Sequence, residues 1–533
     1  MSSVTRSTMA MAGGTMVSRL TGLVRAATLS AAIGATTVAA NAFDVANNLP
    51  NFIYAILAEG VLNAILVPQI VKAFGAGRGE DYVHRLLTLG TVALAGLTVA
   101  LTLAAGGLVW AFTKDWSQEQ LALATLFAYW CIPQVFFYGL YSLWGQVLNA
   151  RRSFAPFMWA PVANNVISIA GFAVFIVLYG RGDHPLESWH TPQITLLAGT
   201  ATLGIVCQTL MLLVPLHRLG LMPRWRWGFR GYGLGTAARL AGWTGAALVV
   251  SQGAMWVAVK LASGAAEAAG PGQVVASNAA FTYALATYII PHSLITVSLT
   301  TALFTDMSEA VQRWDYGAVR RDLSYGIRTT SAFSFFFTAA LVVLAVPLVR
   351  VLFLGVPWAD VHAIAGVLVA LSLGLVPLGI TLLIKRVFFA FEDGRTLFWL
   401  QVPMSGLWVV FSLASVKWLP PAWWVIGIGL GQSLSFLAGA VLRLNTVRDR
   451  LRGVDGPQLA LMHLRGLVAA GVCGVAGYFG LRALPYGTVA GSLLALVVVG
   501  LGMAVIYAAV LRVLGGRELA DFAGPMLARL RRR

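Results

Sequence analysis

The chain has 533 residues, 58% hydrophobic and only 11% charged, with a mean hydropathy of +0.79; soluble domains are about 25% charged, so a soluble globular reading is excluded. The formal net charge of +17 would suggest a nucleic-acid partner in a soluble protein, but no basic groove with interleaved aromatics accompanies it, and the charge must be read by topology. Cys131, Cys207 and Cys473 fall inside apolar runs without ligand spacing, which supports neither a disulfide framework nor a metal site.

Apolar runs of spanning length predict an all-α polytopic membrane protein with 14 transmembrane helices, at roughly 9–33, 42–71, 86–112, 121–148, 155–179, 193–216, 240–261, 274–304, 329–354, 362–391, 397–416, 423–442, 460–483 and 487–511. Arg6 precedes the first run, but no clean apolar region with a small-residue cleavage site follows, so it does not read as a removed signal peptide.

The connecting segments alternate between Lys/Arg-rich and Lys/Arg-poor, as the positive-inside rule requires. One set holds Arg6; Lys72, Arg78 and Arg85; Arg151 and Arg152; the clusters Arg218 to Arg239 and Arg313 to Arg328; Lys385, Arg386 and Arg395; Arg443 to Arg465; and the tail from Arg512 to Arg533. The opposite set holds only Lys114, Arg181, Arg350, Lys417 and Arg482. The asymmetry predicts both termini in the cytoplasm of a cell inner-membrane protein, an even number of spans, a cationic face toward anionic membrane lipids, and no nucleic-acid partner.

Ionisable residues inside spans cost ~2.5–3.5 kcal/mol at the helix centre on insertion scales, so each is a functional candidate. The first span carries Arg19 and Arg25; the second carries Asn41, Asp44, Asn48, Asn51, Glu59 and Asn63, within a sector of ~120° at helical periodicity. At ~1.5 Å per residue, Arg19 and Glu59 lie roughly 21 and 26 Å from the outer ends of their helices, and Arg25 and Asn51 about 12–14 Å. Pairing of Arg19 with Glu59 and of Arg25 with the asparagines is geometrically allowed, and a structural salt bridge between two helices is one reading. The other is that two arginines facing one deep carboxylate leave a surplus of cationic and amide donors, which suits a phosphate or pyrophosphate. Pro50 and Pro68 in the second span, and Gly13, Gly14 and Gly22 in the first, mark places where such helices bend.

Further along, Asn164 and Asn165 in span 5, Gln252 and Lys260 in span 7 and Asn278 in span 8 line a cavity or bond between helices. The histidines show no ligand spacing, and no catalytic constellation or P-loop occurs, so the chain does not read as an enzyme and no cofactor is implied. A weak repeat recurs: Arg19-Leu20-Thr21-Gly22 against Arg239-Leu240-Ala241-Gly242, Leu49-Pro50 against Ile290-Pro291, and the segment from Asn149 against that from Ala390. It predicts two six-helix lobes around a central cavity plus two C-terminal helices, divided at 1–220, 221–446 and 447–533, a plan used by transporters.

The segments Ser18-Arg19-Leu20-Thr21-Gly22-Leu23-Val24-Arg25, Asn41-Ala42-Phe43, Leu49-Pro50-Asn51 and Ala58-Glu59-Gly60 resemble the N-terminal signature of MviN/MurJ lipid II flippases. The segments from Gly145 to Pro161 with Asn164, and from Phe388 to Thr396, are similar to later family motifs. The resemblance covers essentially the whole chain and implies a member of the multidrug/oligosaccharidyl-lipid/polysaccharide exporter superfamily. Such a protein flips lipid II, an undecaprenyl-pyrophosphate-linked disaccharide-pentapeptide, from the inner to the outer leaflet by alternating access for cell-wall synthesis. It implies that Arg19 and Arg25 engage the pyrophosphate with Asn48, Asn51 and Glu59 beside them, and that spans 13 and 14 offer a groove for the polyprenyl tail. The Arg-dominant, Ala- and Gly-rich usage resembles an actinobacterial member. Asn41 stands where other members carry Asp, Tyr54 where some carry Arg, and Ala286 where an arginine is expected nearby. The competing readings are export of another polyprenyl-linked glycan or a drug, and a non-transporting scaffold for cell-wall synthesis proteins.

Overall fold

The computed structural model describes residues 3–57, 79–151, 153, 155–227, 235–270 and 272–519. Regular structure among them is helical, as lipid demands of a chain that must satisfy its backbone internally. Two compact units emerge: Met1–Gln273 with Ser277–Ala279 and Phe353–Pro357, and Val274–Ala276 with Ala280–Leu352 and Trp358–Arg533. The seventh span, which the repeat assigns to the second half, packs within the first unit.

The first unit contains α1 (Ser3–Ile33), α2 (Val38–Leu57), α3 (Gly79–Leu103), α4 (Ala105–Phe112), α5 (Gln118–Cys131), α6 (Gln134–Ala150), α7 (Ala155–Tyr179), α8 (Thr191–Leu210), α9 (Leu213–Arg218), α10 (Gly235–Ser263) and α11 (Ala265–Ala269). Helix α1 packs along α7, α7 along α8, α2 against α5, and α3 against α6. Because lipid tails are as apolar as leucine, close packing rather than water exclusion holds these helices together. Gly171 lets α7 approach α8 so closely that a Cβ there would lie 2.3 Å from Thr200 Oγ1. Phe43 meets Phe127 and Phe172 edge-on at 5.5 and 6.4 Å between ring centroids, locking α2 to α5 and α7. Ser117 starts α5 with a reciprocal cap: its hydroxyl accepts from Gln120 N while Gln120 Oε1 accepts from Ser117 N, satisfying two otherwise orphaned donors.

The second unit takes in most of α12 (Asn278–His292), then α13 (Ser298–Gln312), α14 (Tyr316–Val343), α15 (Ala345–Leu352), α16 (Trp358–Ser372), α17 (Leu375–Ala390), α18 (Gly394–Trp418), α19 (Pro421–Arg450), α20 (Gly456–Arg482) and α21 (Val489–Val513). Asp315, Asp393 and Thr488 cap α14, α18 and α21 through their side-chain oxygens. Helices α16 and α17 bend by 48°. The cause is local: a Cβ on Gly374 would lie 2.8 Å from Ser433 Oγ, and Pro377 lacks the N–H that would bond the Leu373 carbonyl. Carbonyls at a helix end need partners inside a membrane; Ser433 donates to Ala370 O at 2.7 Å and Thr338 to Ser372 O at 3.1 Å.

Among the described residues ten helices are long and apolar enough to cross a membrane, or eleven with the bent pair as one span. They match expected spans 3–7 and 9–14. The remaining three of the expected fourteen are helical where described, except that residues 274–277 at the start of span 8 are not. Span 1 carries its arginines, span 2 is described only to Leu57, and span 8 is divided after Pro291 by a π-helical turn at Ser293–Val297.

Candidate functional site

The polar residues singled out in the sequence converge in the first unit. Arg19 is exposed on α1 and Arg25, almost two turns further out, is partly buried, within electrostatic range of the Tyr138 hydroxyl. The stretch of α1 carrying them is fixed from α7: buried Asn165 donates from Nδ2 to Ser18 O and to Thr21 Oγ1, both at 2.9 Å. Asn164, also buried, accepts from Ser168 Oγ at 3.4 Å, with Gly204 of α8 against it.

On α2, Asn48 Nδ2 donates to Asp44 Oδ1 at 2.9 Å, and Asn51 Nδ2 to Asn47 O at 3.1 Å. Asn278 donates to Asp44 Oδ2 at 2.9 Å and to Asn41 O at 3.1 Å, while Asn41 Oδ1 accepts from Ala279 N at 3.3 Å. The amides expected to face Arg25 as surplus donors are thus spent on Asp44 and on the α2 backbone, and organise that wall instead. Tyr54, one turn beyond Asn51, stacks on Tyr138 at 5.1 Å with 27° between the rings. Gln252 is half-buried on α10, and Lys260 places Nζ over Trp110 and Trp256 at 5.3 and 5.7 Å, a cation–π arrangement. Glu59, Asn63 and Pro68 lie outside the described residues.

Gln134 and Tyr138 join the candidate site although the sequence pattern did not single them out. Gln134 is 1% exposed and joins three helices, donating to Asn47 Oδ1 at 3.4 Å and Thr202 Oγ1 at 2.9 Å. A glutamine directly after Pro133 in a long apolar run is the signal that points to it. With the Arg25 guanidinium within electrostatic range of the Tyr138 phenol on α6 and Tyr54 of α2 stacked on that ring, the site suits an anionic ligand and holds no His/Cys/Asp/Glu group able to bind a metal among the described residues.

The second unit contains a different kind of site, an apolar groove of about 1070 Å³ along α14, α17, α19 and α20, walled by residues such as Phe335, Pro377, Leu437, Leu467 and Phe479. It reaches from Gly456 to Phe479 of α20, roughly 35 Å at the helical rise, against ~30 Å for a hydrocarbon core. Three of its polar groups are committed elsewhere, Ser433 and Thr338 to the bend carbonyls and His463 to Leu459 O at 2.7 Å and Ser331 Oγ at 3.2 Å; the Tyr478 hydroxyl lies near the far end of α20.

A family model described as lipid II flippase MurJ matches residues 29–499. The chain is 28% identical over 453 residues to the lipid II flippase MurJ of Burkholderia cenocepacia, covering 81% of this chain and 82% of that one. It is 26% identical over 390 residues to a probable lipid II flippase MurJ of Synechocystis sp., covering 72% and 71%. Among solved structures, a lipid II flippase MurJ in an inward closed conformation superposes with a TM-score of 0.72 at 18% identity over 97% of this chain and 99% of that one. An inward-facing MATE family transporter of the MOP superfamily superposes with a TM-score of 0.64 at 16% identity, over 82% and 94%; these two establish the fold.

Proposed function

Because the chain belongs to the lipid II flippase MurJ family, we propose that it translocates lipid II from the inner to the outer leaflet of the cytoplasmic membrane by alternating access, for cell-wall synthesis. It is a multi-pass membrane transporter rather than an enzyme. The observation that carries the reading is the occurrence in one chain of arginines within its first membrane helix and an apolar groove as long as the bilayer. A lipid-linked precursor has two parts of opposite solubility, and each part has a matching surface here.

In this reading Arg19 and Arg25 engage the pyrophosphate. Taking its negative charges out of water is costly unless charge-assisted donors replace the hydration, and guanidinium groups supply such donors in pairs. Asn48 and Asn51, with Asn41, Asp44, Tyr54, Asn164, Gln252, Lys260 and Asn278, shape the wall that the head group meets. Glu59 acts as counter-ion or gate element to the arginines, and the groove takes the polyprenyl tail. The Lys/Arg asymmetry supports cytoplasmic termini, and the halves 1–220 and 221–446 are the moving lobes, with 447–533 appended. Anionic lipids of the inner leaflet and cell-wall synthesis proteins are its partners.

The test is complementation of a flippase-depleted strain by wild type and Arg25→Ala, scored for lipid II at the outer leaflet and for protein accumulation. Wild type restores it and Arg25→Ala, accumulating normally, does not. Full rescue by Arg25→Ala refutes the role of the arginine and favours a scaffold; failure of wild type refutes the flippase assignment.

A further inference from the structure

The Arg-rich segment after α9 has a structure of its own. Residues 221–227 are non-helical and run along the first turns of α3. Arg224 N donates to His84 Nδ1 at 3.3 Å and Arg226 N to Thr88 Oγ1 at 3.0 Å, while Thr88 Oγ1 donates to Arg224 O at 3.4 Å. The spacing is a pitch match: two extended residues advance ~6.6 Å, and the four residues from His84 to Thr88 advance ~6 Å along a helix. In such a strip alternate side chains share a face. Trp225 and Trp227 accordingly meet, rings 5.8 Å apart and 76° between planes, and both are prominently exposed, at 62% and 59%. Arg224 and Arg226, at the alternate positions of the strip, are exposed as well.

Its level is set by α3. The apolar span there is Val83–Leu103, so His84 and Thr88 are among its first residues, at the boundary between water and hydrocarbon on the Lys/Arg-rich side. Indole rings favour that boundary, and guanidinium groups match phosphate geometry.

We propose that Arg224-Trp225-Arg226-Trp227 is a binding site for anionic phospholipid of the cytoplasmic leaflet, the indoles seated among the acyl-chain ends of the head groups and the guanidinium groups on the phosphates. The site requires only that the chain spans a membrane and is independent of what the protein transports. An RNA or acidic-protein partner fits the charge but not the level, since the strip lies at the start of a membrane span.

The test uses the full chain in phosphatidylcholine nanodiscs containing a fixed minor fraction of lipid brominated on its acyl chains, either phosphatidylglycerol or phosphatidylcholine. The difference in tryptophan emission between wild type and W225F/W227F isolates these two of the 17 tryptophans, and a thermal melt of each variant confirms folding. Brominated phosphatidylglycerol should quench the difference signal at least about twofold more than brominated phosphatidylcholine. R224Q/R226Q should abolish that preference, while R321Q/R448Q, which removes two exposed arginines elsewhere, should leave it intact. Equal quenching by the two lipids, no quenching by either, or equal loss in both arginine pairs overturns the proposal.

Discussion

Asn165 tests whether the arginines work because α1 is held in place. Its side-chain amide, 6% exposed, makes two 2.9 Å bonds to α1, at Ser18 O and Thr21 Oγ1, on either side of Arg19 and a turn before Arg25. Asn165→Leu keeps the branched shape and the number of heavy atoms and removes both donors. Interhelical hydrogen bonds in a bilayer average ~0.6 kcal/mol, with a maximum of ~1.7, so the pair contributes about 1.2 kcal/mol. That corresponds to an apparent melting shift of roughly 1–2 °C in purified protein and, at ~1.4 kcal/mol per tenfold, to at most about an eightfold fall in translocation. Complementation should therefore be slowed rather than abolished, unlike Arg25→Ala. A double-mutant cycle with Thr21→Ala should return ~0.6 kcal/mol of coupling. If Asn165→Leu accumulates normally, melts like wild type and is as inactive as Arg25→Ala, Asn165 acts on the substrate and the positioning argument is wrong.

Gly204→Ala should destabilise the protein by about 1–3 kcal/mol, read as a lower melting temperature than an average surface change gives. The new Cβ would lie 2.8 Å from the Asn164 backbone oxygen, which has no rotamer to yield. Arg443 is 5% exposed and bonds Thr381 O at 3.2 Å and Gln401 Oε1 at 3.0 Å. Arg443→Met should be near neutral or stabilising in a thermal melt, whereas Gln401→Leu, which strands the buried cation, should cost about 1–3 kcal/mol. At Asp393, burial works to raise the carboxyl pKa, but the Thr396 N–H and hydroxyl and the Arg450 guanidinium outweigh it and hold the group below the ordinary aspartate range. A depressed carboxylate contributes stability that is present above its unfolded pKa and lost as pH falls through the folded value. Melting scans should show wild type losing an increment below about pH 4 that Asp393→Asn never has; parallel curves would refute the assignment.

The spans were legible because ionisable residues interrupt the apolar runs so sparsely, and Arg19 and Arg25 stood out for the same reason. Breaks were harder to read. Gly374 and Pro377 look like ordinary membrane glycine and proline until Ser433 is seen against them, because the bend depends on a helix some 60 positions away in sequence. Arg443 sorted with the cytoplasmic cations by position, yet it is buried between helices, since a charge near the end of a helix carries no mark of which way it faces. Gln134 and Tyr138 sit in a run without a polar stripe; what makes them part of the site is the approach of α2, a tertiary event that helical periodicity does not encode. The asparagines of α2 were visible as a group, but not that Asn278 would take up Asp44.

The groove along α20 also bears on how a long-chain cargo moves. Hydrocarbon leaving the bilayer for a wall of leucine, phenylalanine and alanine exchanges one oily neighbour for another, so no water is released and little free energy separates the two places. With Ser433, Thr338 and His463 already occupied, the wall keeps only the Tyr478 hydroxyl, near one end of α20, as a polar rung at which a sliding chain would pause. With the polyprenyl tail seated there as proposed, the groove would be a rail and not a trap: it would confine the tail to a line while leaving its position along that line almost free, and the direction of travel would have to be set at the charged end of the molecule.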